Sequence, residues 1–333
     1  MKKRIGFKKR LAALGLALGM AAAMLGGCGA AKEDTATVRV GSLKGPTSMG
    51  LLFLMDESEK GESEGSYEFQ MATAADEILP LMVKGELDVA LVPANVASVL
   101  YAKTEGNISV IDINTLGVLY MVSGDTSLKE FTDLKGKTIY LTGQGTTPDY
   151  VLRYLLAAND MTTEDVKLEY KSEATEVAAV LAEDETAIGL LPQPFVTAAC
   201  AQNEALSVIF DMTKEWSAVQ GENGSSLVTG VTVARKDFLK EHEGAIATFL
   251  KEHKESTQAI NDNPAEGAAL AVAAEIVAKE GIAQKAIPQC NITYIDGAEM
   301  KQALSGYLEV LYEQAPESVG GALPGDDFYY EAK

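Results

Sequence analysis

The sequence predicts an α/β fold of two lobes, each a mostly parallel sheet flanked by helices. Three observations predict it. Short β-branched runs alternate with helical segments, the alternation restarts near residue 117, and a stretch of the first half aligns without a gap on one of the second. In order, "TVRVGSL" leads to the helical "SMGLLFLMDESEKG", "YEFQMA" to "ADEILPLMVKGE", and "LDVALVPA" to "NVASVLYAKTEG". After "GVLYMVSG" come "KGKTIYLTG" and a helix from Pro148, "VKLEYKS" and its helix, then "ETAIGLLPQP" and another. A polar loop, Gln220 to Ser226, precedes the strand-like "LVTGVTVAR", long helices through Gln314 and the tail "LPGDDFYY".

The alignment appears when the chain is slid by 99 positions (174 − 75 = 99). Ala75 to Leu100 then lies on Ala174 to Ala199, with Glu77 on Glu176, Pro93 on Pro192, and Thr47-Ser48 on Thr146-Thr147. Equivalent elements in the same order imply two lobes of one architecture.

The chain opens "MKKRIGFKKR", basic and without acids, followed by an apolar run too short to span a membrane comfortably and by small residues before Cys28. This is the order of a secretory leader, and Leu25-Gly26-Gly27-Cys28 resembles the lipobox of bacterial lipoproteins. The resemblance implies cleavage of residues 1–27, a diacylglyceryl group on Cys28, a polar tether over 28–36 and a protein anchored on the extracytoplasmic face of the cell membrane.

The 333 residues are 47% hydrophobic and 23% charged, a globular composition with length for two domains. The net charge is −20, and removing six leader cations makes it (28 − 6) − 48 = −26. Such a surface argues against nucleic acid and against broad adhesion to anionic lipid. Cys200 and Cys290 permit one disulfide but read as ordinary core thiols. His242 and His253 read as solvated helix residues, so neither a metal site nor a histidine catalyst is expected.

"LTGQGTTPDY" places a glycine turn before a helix, the arrangement that cradles phosphates. The third glycine of a dinucleotide fingerprint would fall at Pro148, and no Gly-Lys-Ser/Thr follows. In an open α/β sheet, ligands sit beyond the carboxyl ends of the strands. Those junctions are "LKGPTSMG", "MATAADE", "VPANVAS", "LTGQGTTPDY" and "LPQPFVT". Thr147 reads as an N-cap with Pro148 first in its helix, Thr47 or Ser48 likewise, Asn95 as the cap of "VASVLY", and Gln193 stands before Pro194. The junctions hold Lys44 but no arginine, and Arg153 lies a turn into its helix, which favours a weakly charged, zwitterionic or neutral polar ligand. Tyr120, Tyr150, Phe195 and Trp216 are candidates for a flat wall.

The lipobox, "VRVGSLKGPTSMGL", "LMVKGELDVALVPAN", "DLKGKTIYLTGQGTTPDYVLRYLL", "GLLPQPF" and "LPGDDFYY" together resemble the solute-binding lipoproteins of ABC importers in the nitrate/sulfonate/taurine and thiamine-pyrimidine-precursor superfamily. The resemblance implies a type II periplasmic binding protein fold, two Rossmann-like lobes joined by strand crossings near Leu116–Leu119 and Val228–Val231. Lobe 1 would comprise 37–117 and 230–333, and lobe 2 118–229. Carried through the matching motifs, the cleft residues are Pro46, Thr47, Ser48, Thr73, Asn95, Gly145, Thr146, Thr147 and Gln193. The implied function is a monomer without cofactor that captures a small polar or heteroaromatic solute by hinge closure and delivers it to a permease driven by an ATPase. Two alternatives are a secreted enzyme of the thiamine-pyrimidine-synthesis-like superfamily, which would require a cysteine cluster missing here, and a surface sensor lipoprotein.

Overall fold

The computed structural model describes residues 34–221 and 224–331; the leader, Cys28 and most of the tether lie outside them. The first sheet runs, edge to edge, through Ile292–Ile295 (β11), Ile108–Leu116 (β4), Val228–Arg235 (β10), Val89–Pro93 (β3), Thr37–Leu43 (β1) and Ser66–Ala72 (β2). The second runs through Lys167–Tyr170 (β7), Thr138–Leu141 (β6), Ile188–Pro192 (β8), Leu119–Ser123 (β5) and Ser207–Asp211 (β9). The α-helices, in chain order, are Pro46–Met49 (α1), Leu52–Lys60 (α2), Ala75–Lys84 (α3), Ala94–Lys103 (α4), Thr147–Ala158 (α5), Ala174–Glu183 (α6), Phe195–Gln202 (α7), Met212–Gln220 (α8), Lys236–Glu241 (α9), Glu243–Asp262 (α10), Pro264–Ala273 (α11), Glu280–Ala286 (α12) and Gly297–Gln314 (α13).

The two sheets share a plan. β1 pairs in parallel with β2 and β3, and β6 with β7 and β8. Beside β3 and β8 stand antiparallel strands, β10 and β5, so the sheets are mixed rather than mostly parallel. The reason is topological: β5 and β10 are the strands by which the chain arrives from the other sheet. The 99-residue shift carries Ala75–Lys84 onto Ala174–Glu183 and Val89–Pro93 onto Ile188–Pro192, whole elements onto whole elements. Its matched glutamates act alike. Glu77 accepts from the backbone N–H groups of Thr73 and Ala74 and Glu176 from those of Ser172 and Glu173, each satisfying donors at a helix start.

β3 shows why its strand reads as an unbroken apolar run. Val89 and Leu91 enter the core under α2 and α10, while Ala90 and Val92 enter the core on the opposite face. β4 is harder to read from the chain. It buries Ser109, Asp112, Asn114 and Thr115, and these polar groups interrupt its apolar pattern. Across the sheet Thr232 donates to Asp112 Oδ1 at 2.8 Å and Asn114 donates to Thr232 at 3.2 Å, while Ser109 donates to Asp327 O and Thr115 to Asn114; Asp112 Oδ2 has no hydrogen bond among the described residues. His253 completes the group. It is fully buried, with Nδ1 3.3 Å from Asp112 Oδ2 and its ring stacked on Phe249, and so is not the solvated helix residue expected of it. The error came from the helix's charged composition: α10 turns Lys251, Lys254 and Glu255 outward while Ile246, Phe249, Glu252, His253 and Ile260 lie on its packed face.

The chain passes from the first sheet to the second through Gly117 and Val118 and returns in residues 221–227. The passages are adjacent, since Val228 pairs with Leu116. Gly117 is needed there: a Cβ would lie 2.1 Å from Thr213 Oγ1. Asn291 donates its amide to the Gly117 carbonyl, and its own carbonyl accepts from Leu116 N–H at 3.1 Å. No helix among the described residues is long and apolar enough to cross a membrane. Cys200 and Cys290 are both free thiols, Cys290 deep in the core and Cys200 half-buried.

Candidate functional site

The strand-end loops meet where helices of the two sheets face each other. Asn95 lies in the first turn of α4 and is 1% exposed. It does not cap that helix, whose N-cap is Pro93. Its amide instead donates to Ser318 O at 3.2 Å and to Gly145 O at 3.4 Å, and its Oδ1 accepts from the Thr147 hydroxyl at 3.5 Å. Asn95 and "GTT" of the glycine loop, expected together in a cleft, are therefore brought together by direct bonds.

The glycine loop departs from the expected cap by one residue. Thr146 is the N-cap, Thr147 and Pro148 begin the helix, and the Thr146 hydroxyl donates back to Gly143 O at 2.7 Å. Gly145 has φ +71°, the left-handed region that favours glycine, and a side chain there would meet nothing within 4 Å. Its N–H donates to Asp149 Oδ2 at 2.9 Å. The other oxygen of Asp149 accepts from Arg153 at 2.5 Å and from the Tyr170 hydroxyl at 2.7 Å. Arg153 thus braces the loop from behind, and the pairing raises its pKa against the opposing effect of burial.

"GPTS" is held more tightly than a cap requires. Gly45 is the N-cap of α1, and Thr47 and Ser48 lie within that helix, correcting the reading of either as its cap. The Ser48 hydroxyl bonds Leu43 O and Ser42, and Thr47 donates to Leu43 O at 3.3 Å. Pro46 is half-buried at the start of the turn. Thr47 and Ser48 are buried, with hydroxyls committed to closing the strand-to-helix turn.

Gln193 makes a second link between the sheets. Its Oε1 accepts from the Thr197 hydroxyl at 2.8 Å, and its Nε2 donates to Gln289 Oε1 at 3.4 Å. The Tyr120 hydroxyl donates to Gln289 O at 3.3 Å, and burial pushes its pKa up to about 12. Gln289 was not anticipated, because the chain from "LVTGVTVAR" to Gln314 read as long helices with no strand or loop among them. The break is made by Glu275, left-handed at φ +57° just past the end of α11, and by β11. No glycine marks the first of these, so the sequence carries no local signal for it.

Beside these contacts lies a cavity of about 620 Å³ between α6 and α7 on one side and the α11–α12 connection on the other. Phe195, Pro194, Ala198, Ile276 and Val277 form much of its wall, and Thr73 lies on its rim with its hydroxyl donating to Glu77 at 3.2 Å. Lys44 reaches Glu275 at 2.8 Å. Of the proposed flat walls only Phe195 lines this space. Trp216 is fully buried between Tyr154 and Tyr307, with centroids 4.6 and 5.5 Å away. A larger groove, about 710 Å³, opens at the opposite end of the first sheet around Ser109. It is remote from the strand-end loops, and two of its lysines are already paired, Lys236 with Asp327 and Lys251 with Glu64.

Solved structures share this architecture. An ABC transporter protein from Parabacteroides distasonis superposes with a TM-score of 0.75 at 24% identity, over 90% of this chain and 100% of that one. The fold is that of the type II periplasmic binding proteins. The aliphatic sulphonate binding protein SsuA of Escherichia coli shares this periplasmic binding protein fold at a TM-score of 0.70 and 15% identity, over 89% and 92% of the two chains. The nitrate-binding protein NrtA of Synechocystis does so at 0.55 and 16%, over 72% and 66%. Residues 107–267 match the family model described as NMT1/THI5 like. No curated protein matches the chain.

Proposed function

We propose that this protein is an extracytoplasmic solute-binding lipoprotein of an ABC importer. Lobes 37–117 with 230–333 and 118–229 would close on a small polar or heteroaromatic solute and deliver it to a permease driven by an ATPase. The observation that carries the reading is the hydrogen bonding of Asn95 to Gly145 and Thr147, which links a helix of the first sheet to the glycine loop of the second. Bonds of this kind hold two bodies closed and break when they part. The fold supports the reading, since proteins that share it bind sulphonates and nitrate. In this reading Pro46, Thr47 and Ser48 shape one wall, Thr73 and Gln193 the rim, and Gly145, Thr146 and Thr147 the facing turn. The protein acts as a monomer, anchored through lipid on Cys28, and performs no chemistry on its solute.

The test is native mass spectrometry and thermal shift on the leaderless protein, with sulfonates, thiamine precursors, other heteroaromatics and amino-acid derivatives, and with a small-molecule extract. Ligand at a hundredfold excess over its Kd stabilises by about 2.7 kcal/mol. Small-angle scattering should then show a smaller radius of gyration with bound solute than without. No bound mass and no shift with panel or extract would overturn the proposal.

A further inference from the structure

The cavity next to Gln193, lined by Pro194 and Phe195, has a chemical character that narrows the solute, given the solute-binding reading above. Its walls are apolar on both sides: Phe195 and Ala198 from α7, Ala178 from α6, and Ile276, Val277 and Ile282 from the α11–α12 region. About 620 Å³ suits a small organic molecule rather than an inorganic ion.

The charges nearby do not favour an anion. Among the described residues no arginine lines the cavity, and its lining lysine, Lys279, is accompanied by the carboxylates of Glu173 and Glu275. Lys44, the cation of the first strand-end loop, is paired with Glu275 at 2.8 Å. Arg153, the cation nearest the glycine loop, is paired with Asp149 at 2.5 Å and donates to Tyr170. A sulfonate or carboxylate taken from water into this space would lose hydration and face a lining whose two carboxylates, Glu173 and Glu275, outnumber its one lysine, Lys279. The chain's charge of −20 adds repulsion during approach. An uncharged solute meets neither obstacle and gains from the apolar walls.

We infer that the solute is an uncharged organic molecule with an apolar body, seated between Phe195 and the Ile276–Val277 wall, and that anions of the same shape are excluded.

Matched pairs test this, because each pair holds the body constant and changes only the charge. Benzenesulfonamide against benzenesulfonate, and pentanamide against pentanoate, are titrated calorimetrically at pH 7 into the leaderless protein. The uncharged member of at least one pair should bind at least tenfold tighter than its anion. Ala198→Trp, which fills the cavity from α7, should abolish that binding. Ala178→Leu, filling it from α6, provides a second variant should the first fail to fold, with circular dichroism as the check. Preference for the anions, or equal binding of both members, would overturn the inference while leaving the solute-binding reading intact. So would binding that survives both filling variants. Binding of no pair at millimolar concentration also overturns it, and the solute-binding reading then rests on the extract experiment above.

Discussion

The Thr147 hydroxyl donates to Asn95 Oδ1 at 3.5 Å, joining the helix after β6 of the second sheet to the helix after β3 of the first. Both residues are 1% exposed, so the bond is shielded from water although it is long. A double-mutant cycle measures it. Thr147→Ala should cost about 0.5–1 kcal/mol, and Asn95→Ala about 1–3 kcal/mol because Ser318 O loses its donor in a buried position. The coupling between them should be about 0.5 kcal/mol in urea denaturation. A coupling near zero would mean that this contact contributes nothing to closure.

Gly145→Val should destabilise by about 1–2 kcal/mol through backbone strain alone, since φ +71° is disfavoured for a β-branched residue while the surrounding space is open. Gly145→Asn, tolerant of that region, should recover most of the loss. Equal destabilisation by both would point to the space around the turn rather than to its backbone.

His253→Ala should cost about 2–5 kcal/mol, because it removes a fully buried ring and leaves Asp112 Oδ2 without its neighbour. A change below about 0.5 kcal/mol would restore the solvated reading of this residue.

Asp327 should contribute to an acid limb of stability. Hydrogen bonds from Lys236 and then Tyr101 hold its carboxyl below the usual range. A depressed carboxylate stabilises above its unfolded pKa of about 3.9, and that contribution is lost as pH falls through the folded value. Asp327→Asn should therefore flatten part of the loss of melting temperature below about pH 4 and leave the slope near neutrality unchanged. An unaltered acid limb would show that the tail's ion pair is not linked to folding.

Lipidation is expected at Cys28. Cys28→Ala should abolish labelling by a fatty-acid analogue, and persistence of the label would refute the lipobox. The remaining thiols differ in kind: burial pushes Cys290 up to about 12, so a thiol reagent at pH 8 should reach it only on unfolding, after Cys200.

Elements whose pattern is local were legible in the chain. β3 announces itself because apolar residues recur without interruption, β1 because Val38 and Val40 alternate with polar neighbours, and α3 and α6 because a glutamate three residues in collects the donors of each helix start. Of the site, the glycine loop and Asn95 were expected in one cleft, but the direct bonds between them and the residue that caps each helix were not legible. An N-cap is the extended residue immediately before the helical ones, as Thr146 is, and composition does not say at which of two adjacent threonines the backbone turns. Gln289, Ile276 and Val277 were missed because their place depends on a left-handed glutamate inside an alanine-rich stretch.

Periodicity, turn residues and an internal alignment thus determined by themselves an α/β chain of two similar halves, since backbone hydrogen bonding and burial act on residues a few positions apart. Tertiary structure alone decided that β5 and β10 run antiparallel, that His253 turns inward to Asp112, and that Lys44 and Arg153 are paired with carboxylates. Each of these depends on partners far apart in the chain or on which side of a helix faces the core. Lys44 and Glu275 stand 231 positions apart, and no local pattern records that they meet.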